Sequence, residues 1–289
     1  MTATSLALDT PELARTYEEL SVDRQYRAGQ QLLAALALRP GEHVLDVGSG
    51  TGLLAEHAAG LVAPGGRVVG IDPLPLRVEI ANERRSGAAE LAERVPRPPL
   101  GLHERRTDNL HFEVGDANAL TQFAAHSFDA VYLNAVFHWL PEKQKPLSEL
   151  WRVLKPGGRL ALSTGERGKN TLRVVRRTVL SREPFKHFTD ANDDVGHNVT
   201  ADELRALLAG AGFDVRRLDA LPYERHHPSA RVAVEFAQAS SFGNYLGRVP
   251  APLQLSARLE IEAELDKLRT PAGVPQRGVQ LIALAVKPV

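Results

Sequence analysis

The run HVLDVGSGTGLLAEHAAG, residues 43 to 60, constrains this chain more than any other stretch of it. It reads as a buried strand, a glycine turn and the opening of a helix, with Gly48, Gly50 and Gly52 at alternate positions behind Asp46 and with Ser49 inside the turn. Positions without a side chain let the backbone approach a ligand closely and adopt positive φ at little cost. The run is therefore a nucleotide-type binding turn. Its spacing separates it from two neighbours. A dinucleotide fingerprint needs GxGxxG, but Leu53 stands where the third glycine belongs, and the Gly-Lys pair of a P-loop is absent.

Composition narrows the classes further. With 289 residues, 43% hydrophobic and 24% charged, the chain has the balance of a globular protein with a sizeable core. Thirty-five basic residues offset thirty-five acidic ones, so no global basic field favours a nucleic-acid partner. Cysteine is absent, which removes disulfides, thiolate nucleophiles and thiolate metal sites together. The histidines, such as His226 and His227, lack a carboxylate at a recognisable ligand spacing, so no metal is expected. No apolar run reaches membrane-spanning length and the start of the chain lacks a signal-like pattern, so a cytoplasmic location without membrane association is expected.

The middle of the chain alternates strand-like and helix-like patterns, which predicts an α/β fold of parallel strands with helical crossovers. Strands are expected near 43–47, 67–72, 110–115, 128–133 and 158–164. Before the last of these, Leu147, Leu150, Trp151 and Leu154 recur at helical spacing, and KPGG at 155–158 is expected to stop that helix. TADE at 200–203 has the form of a capping box, and Gly212 is expected to end the helix it opens. Two further strands are expected in FDVRRLDALPY and GVQLIALAVKP. About fifty residues separate them, with helical patterns at 229–240 and 252–268 that predict a lid. DTPELARTYEEL and SVDRQYRAGQQLLAALAL predict two N-terminal helices, the first capped by Thr10 with Pro11 in its first turn. RVPRPPLGLHERRTDN, from Arg94, is proline-rich and basic, and reads as a surface loop.

Three more sites lie at expected strand ends. VVGIDP brings Asp72 and Pro73 to the tip of the second strand, where a carboxylate can accept from both hydroxyls of a ribose. FEVGDANAL places Asp116 and Ala117 just past the third. FDAVYLNAVFHWL delivers Asn134 to the carboxyl edge of the sheet, the edge at which open α/β sheets bind ligands, followed by His138 and Trp139. His138 reads in two ways, as a base that takes a proton from an acceptor or as part of an aromatic shelf that packs it.

The ordered set DxGxGxG, GIDP, GDAN and NAVFHW, with ELWRVLKPGGRLAL after it, resembles the class I S-adenosylmethionine-dependent methyltransferases, in their type 11 or menaquinone-methyltransferase-like small-molecule branch. The resemblance covers roughly 40–225 and 278–289. It implies a doubly wound, mostly parallel seven-stranded sheet, the Rossmann-like methyltransferase fold, ending in an antiparallel pair. It also implies S-adenosylmethionine as cofactor. Asp46 would reach the cofactor's amino-acid end, Gly48, Ser49, Gly50 and Gly52 would admit its ribose and methionine portion, and Asp72 with Pro73 would hold the ribose. Asp116 and the amide of Ala117 would read the adenine, with Asn134 beside the turn. An N-terminal helix would add Arg24 for the cofactor carboxylate and Tyr17 or Tyr26 near the sulfonium. The expected organisation is a helical extension at 1–39, a cofactor-binding core at 40–227 and 278–289, and a lid at 228–277.

The implied activity is methyl transfer to a small-molecule acceptor, a secondary metabolite or small acid, at O, N or C, with His138 as the candidate catalytic residue. The alternative is a methyltransferase-like cyclase or a binding protein without turnover. Arsenite methyltransferases also show some likeness, but they hold the metalloid through thiolates, which this chain lacks. The N-terminal helices and lid offer surfaces for a homo-oligomer.

Overall fold

A computed structural model describes residues 8–86, 108–188, 196–246 and 249–289, with the backbone alone for 18 and 21–24. The proline-rich stretch after Arg94 falls mostly outside the described residues, as does DANDD at 190–194.

Seven strands form one sheet in the order β3-β2-β1-β4-β5-β7-β6. They are β1 (His43–Val47), β2 (Arg67–Asp72), β3 (Leu110–Val114), β4 (Phe128–Asn134), β5 (Leu154–Gly165), β6 (Asp214–His227) and β7 (Val274–Val286). The first five pair in parallel, with Asp46 in register with Gly70 on one side and Tyr132 on the other. β7 runs the other way beside β5: the Gly157 amide bonds the Lys287 carbonyl and the Glu166 amide bonds the Val279 carbonyl, so one strand rises in number as its neighbour falls. This is the expected methyltransferase topology.

The helices are α1 (Pro11–Leu36), α2 (Leu53–Val62), α3 (Pro75–Ser86), α4 (Gln144–Val153), α5 (Thr171–Leu180), α6 (Ala201–Gly210), α7 (Ala230–Ser240) and α8 (Ala251–Asp266). Two expectations need correction here. The two N-terminal helices are a single α1, because Ser21 and Asp23 cost an uninterrupted helix only tenths of a kcal/mol and no proline or glycine stands between them. The helix before β5 ends at Val153, not at KPGG: Leu154 already pairs with Phe128, and the register shifts across 155–158 before Arg159 pairs with Ala130. Leu147, Leu150 and Val153 carry its buried face, whereas Trp151 is 37% exposed. The capping box at Thr200 is present, with the Thr200 side chain accepting from the Glu203 amide and the Glu203 carboxylate accepting from the Thr200 amide. Thr10 likewise accepts from the Leu13 amide at the start of α1.

The chain packs as two compact units. The first comprises 22–164, 199–219 and 281–289, and the second the described parts of 1–21, 165–198 and 220–280. The first has a core in which Leu32, Leu33 and Leu36 of α1 and Ala55, Ala58 and Val62 of α2 bury against Val44, Val68 and Tyr132 of the strands. The second is built around α5, α7 and α8, with Leu172, Val179, Phe185, Val234, Ile261 and Leu265 inside. Among the described residues no helix is long and apolar enough to cross a membrane.

Candidate active site

The glycine turn leaves β1 with backbone that only glycine adopts easily. Gly48, Gly50 and Gly52 have φ of 74°, 54° and 88°. Their surroundings differ. A Cβ on Gly48 would collide with Val136, and one on Gly52 would meet Phe112 and Ala81, so these two glycines are required by the protein's own packing. A Cβ on Gly50 would meet nothing within 4 Å. That glycine faces open space. Amides of Gly48 and Ser49 both bond the Ile71 carbonyl at 2.7 and 2.9 Å, which fastens the turn to the end of β2.

Asp72 ends β2 and is 7% exposed. Its Oδ2 accepts from the Gly50 amide at 3.0 Å and its Oδ1 from the Leu74 amide at 3.0 Å. Pro73 stands between Asp72 and Leu74 and starts the turn into α3. Asp46 lies deeper. It is 2% exposed and accepts from the Tyr132 hydroxyl at 2.7 Å. Burial pushes its carboxyl up to about 7, against the Tyr132 bond that favours the ionised form, and the nearby Asp72 charge adds to the rise. The Tyr132 phenol is raised well above its ordinary value by the same burial and by Asp46.

Asp116 is exposed just past β3, and its Oδ1 accepts from both the amide and the side-chain nitrogen of Asn118, an Asx turn. Ala117 is buried beside it. Asn134 closes β4 with its Nδ2 donating to the Gln25 carbonyl of α1 at 3.2 Å and its Oδ1 accepting from Ser163 Oγ at 2.9 Å. Next to it Ala135 takes a φ of 59°, held by bonds from its amide to the Ser163 carbonyl and hydroxyl. That kink leads into the 3-10 turn Phe137–Trp139. His138 Nδ1 lies 3.3 Å from Thr164 Oγ1 at the end of β5, and its ring sits 4.8 Å from that of Trp139. Lys143 locks the turn from below: its Nζ donates to the carbonyls of Phe137 and Leu140 at 2.5 and 2.6 Å, and burial lowers its pKa to about 8.

One unit thus brings together Asp46, Ser49, the three glycines, Asp72, Asp116, Asn134 and His138. Tyr26 belongs to that unit's core, 4% exposed and edge-on to His57. Tyr17 belongs to the second unit, where its phenol acts on Arg225. Arg24 lies within α1, and its side chain falls outside the described residues. Tyr132, Val136, Lys143, Ser163 and Thr164 were not singled out by sequence. Tyr132 alone carried a signal, since a tyrosine in an otherwise aliphatic buried strand needs a partner for its hydroxyl.

Two observations on the turn fit S-adenosylmethionine. The Ser49 hydroxyl is buried with no hydrogen-bond partner among the described residues, and Gly50 beside it opens onto empty space. A buried hydroxyl left unpaired is costly, and a polar ligand on the turn would satisfy it.

Comparison with known proteins agrees. The methyltransferase domain family model matches residues 45–162. Trans-aconitate 2-methyltransferase of Deinococcus radiodurans is 34% identical over 78% of this chain and 80% of its own length. The Variovorax paradoxus protein of the same name is 28% identical over 89% and 88%. An arsenite methyltransferase of Halobacterium salinarum is 32% identical, but the match spans 63% of this chain and only 39% of that protein. A Bacillus halodurans structure with a provisional methyltransferase assignment shares the fold at a TM-score of 0.60 and 20% identity, covering 90% of this chain and 99% of that one. The chain belongs to the class I S-adenosylmethionine-dependent methyltransferases.

Proposed function

We propose that this enzyme methylates a small organic acid at a carboxylate oxygen. The observation that carries the reading is the similarity to trans-aconitate 2-methyltransferases along most of both chains. Arsenite is a poor candidate, because the absence of cysteine leaves no thiolate to hold it.

When bound, S-adenosylmethionine supplies a methyl group on a sulfonium, which passes to the acceptor's lone pair while the C–S bonding pair stays on sulfur. In this reading Asp72 would hold the ribose hydroxyls, and Ser49 and Gly50 would face the cofactor. Asp116 keeps Oδ2 for the adenine amino group while the Ala117 amide faces a ring nitrogen. Asn134 fixes the neighbouring strand end. Asp46, held by the Tyr132 hydroxyl at the end of β1, would serve the cofactor's amino-acid end. Arg24 is kept from the sequence as a fork for the cofactor carboxylate.

A carboxylate acceptor arrives already ionised, so no proton must be removed. His138 then acts by position: Thr164 orients its ring, Trp139 packs against it, and together they align the oxygen with the C–S axis and exclude water. An acceptor that must lose a proton would instead use His138 as the base. Mass spectrometry with a labelled methyl donor and a panel of di- and tricarboxylic acids, phenols and amines separates the cases. The expected product is a methyl ester of an acid from the panel. Methylation of phenols or amines alone would overturn the acid reading, and donor binding without release of S-adenosylhomocysteine would favour a non-transferring protein.

A further inference from the structure

We propose that Glu149 and Arg152 of α4 are positioning residues for recognition of the cofactor's adenine, acting through the backbone of the loop that carries Asp116 and Ala117. The inference rests on the assignment of those two residues to the adenine and goes beyond it by naming what aims them. ELWR at 149–152 puts a carboxylate and a guanidinium at i and i+3, neighbours on the surface of one helix. Arg152 donates from Nε to Glu149 Oε1 at 3.0 Å and from Nη2 to Glu149 Oε2 at 2.8 Å, a bidentate fork. That pairing holds the Glu149 carboxyl below its ordinary value, although burial opposes it.

Both members of the pair also reach the loop after β3. Glu149 Oε2 accepts from the Leu120 amide at 2.9 Å, and Arg152 Nη2 donates to the Leu120 carbonyl at 2.8 Å. Arg152 Nη1 donates to the Phe123 carbonyl at 2.9 Å. Leu120 thus has its amide and its carbonyl both held from α4, and its side chain is fully buried. The loop is fixed at its other end as well. The Gly115 amide bonds the Asp72 carbonyl at 3.1 Å, and a Cβ on Gly115 would crowd Ile71 and Gln122. Between these ends the Ala119 amide bonds the Asp116 carbonyl at 2.9 Å, and Asn118 closes the Asx turn on Asp116. Asp116 and Ala117 therefore stand on a short turn tied to the end of β2 on one side and to the ion pair on the other.

A hydrogen bond weakens steeply as it lengthens or bends, so a carboxylate reads a base edge only if its backbone is held still. Carbonyls in a partly buried loop need partners, and loss of the guanidinium would free those of Leu120 and Phe123 together. The loop would then shift to find water. Lysine cannot replace the fork, because a single ammonium lacks the planar spread that meets a carboxylate and two carbonyls at once.

Calorimetry with S-adenosylhomocysteine and its oxo analogue S-inosylhomocysteine tests this on the intact chain. Adenine carries an amino donor and an accepting ring nitrogen where hypoxanthine carries a carbonyl and a ring N–H, so a well-aimed loop separates the two. The unmodified protein is expected to prefer the adenine ligand by about tenfold or more. Arg152→Met should weaken the adenine ligand by about tenfold while the oxo analogue stays within about twofold, which removes most of the preference. Arg152→Lys should recover part of it, and Glu149→Gln, which keeps an acceptor for the Leu120 amide, should lose less than Arg152→Met. These two milder variants carry the test if Arg152→Met does not fold, as judged by its thermal midpoint. Asp116→Asn, measured beside them, should also lose most of the preference. Folded clamp variants that keep the full preference while Asp116→Asn loses it would overturn the role of the pair and leave the adenine assignment standing. Equal weakening of both ligands in the clamp variants would overturn it too, since general loosening does not discriminate between bases. A preference intact in Asp116→Asn would instead sink the adenine assignment and the positioning role with it.

Discussion

Single residues in the first unit divide between those shaped by the fold and those left over for a ligand. Gly48 and Gly52 are required by Val136 and Phe112, whereas a Cβ on Gly50 would meet nothing within 4 Å and the Ser49 hydroxyl has no hydrogen-bond partner among the described residues. Asp46 belongs to the fold in a way that can be measured. Its carboxyl is raised from 3.8 to about 7, so between those values the native chain binds a proton that the unfolded chain has lost. The resulting stabilisation is full below the unfolded value and disappears as pH rises through about 7, with a slope of roughly 1.4 kcal/mol per pH unit at its steepest. Asp46→Asn keeps the shape and removes the titration. Urea unfolding at pH 5 and pH 7.5 should therefore show a larger stability loss with pH for the unmodified protein than for the variant; equal losses would mean that Asp46 is ionised throughout. The sequence showed Asp46, Asp72 and Asp116 by their places before and after strands. It did not show Tyr132 as the partner of Asp46, because a contact across 86 residues is set by strand register and not by local pattern.

At the scale of elements, most of what positions the site could be read from periodicity and turn chemistry. The strands at 43–47 and 67–72 fall where alternation and glycine placed them, and the Thr200 capping box forms as its spacing requires. Boundaries fared worse where local signals compete with pairing. Ser21 and Asp23 look like a helix start, yet α1 passes through them, and KPGG looks like a helix stop, yet β5 has already begun at Leu154. The 3-10 turn Phe137–Trp139 carries the candidate catalytic His138, and it has few bonds of its own. Lys143 supplies two, to the carbonyls of Phe137 and Leu140. Lys143→Met keeps the stem and removes the donors, so the turn should loosen around His138 and Trp139. Methyl-transfer kcat is expected to fall by about tenfold while the affinity for S-adenosylmethionine is kept, since the glycine turn is untouched. An unchanged kcat would show that the turn is held by packing alone.

The molecule as a whole is built of two compact units. Val22–Thr164 contributes the glycine turn and the His138 segment to the first unit, while α5, α7 and α8 belong to the second. The long connection between β6 and β7 carries α7 and α8, which explains why this stretch has helical patterns where a bare hairpin would need only a few residues. Everything proposed for the acceptor presupposes that S-adenosylmethionine lies on the glycine turn with its ribose at Asp72. Calorimetric titration of S-adenosylmethionine into the unmodified protein and Asp72→Ala, with circular dichroism to verify folding, decides this. A folded Asp72→Ala protein should bind at least about tenfold more weakly, as the loss of charge-assisted bonds requires. Unchanged affinity in a folded variant would contradict the placement of the cofactor.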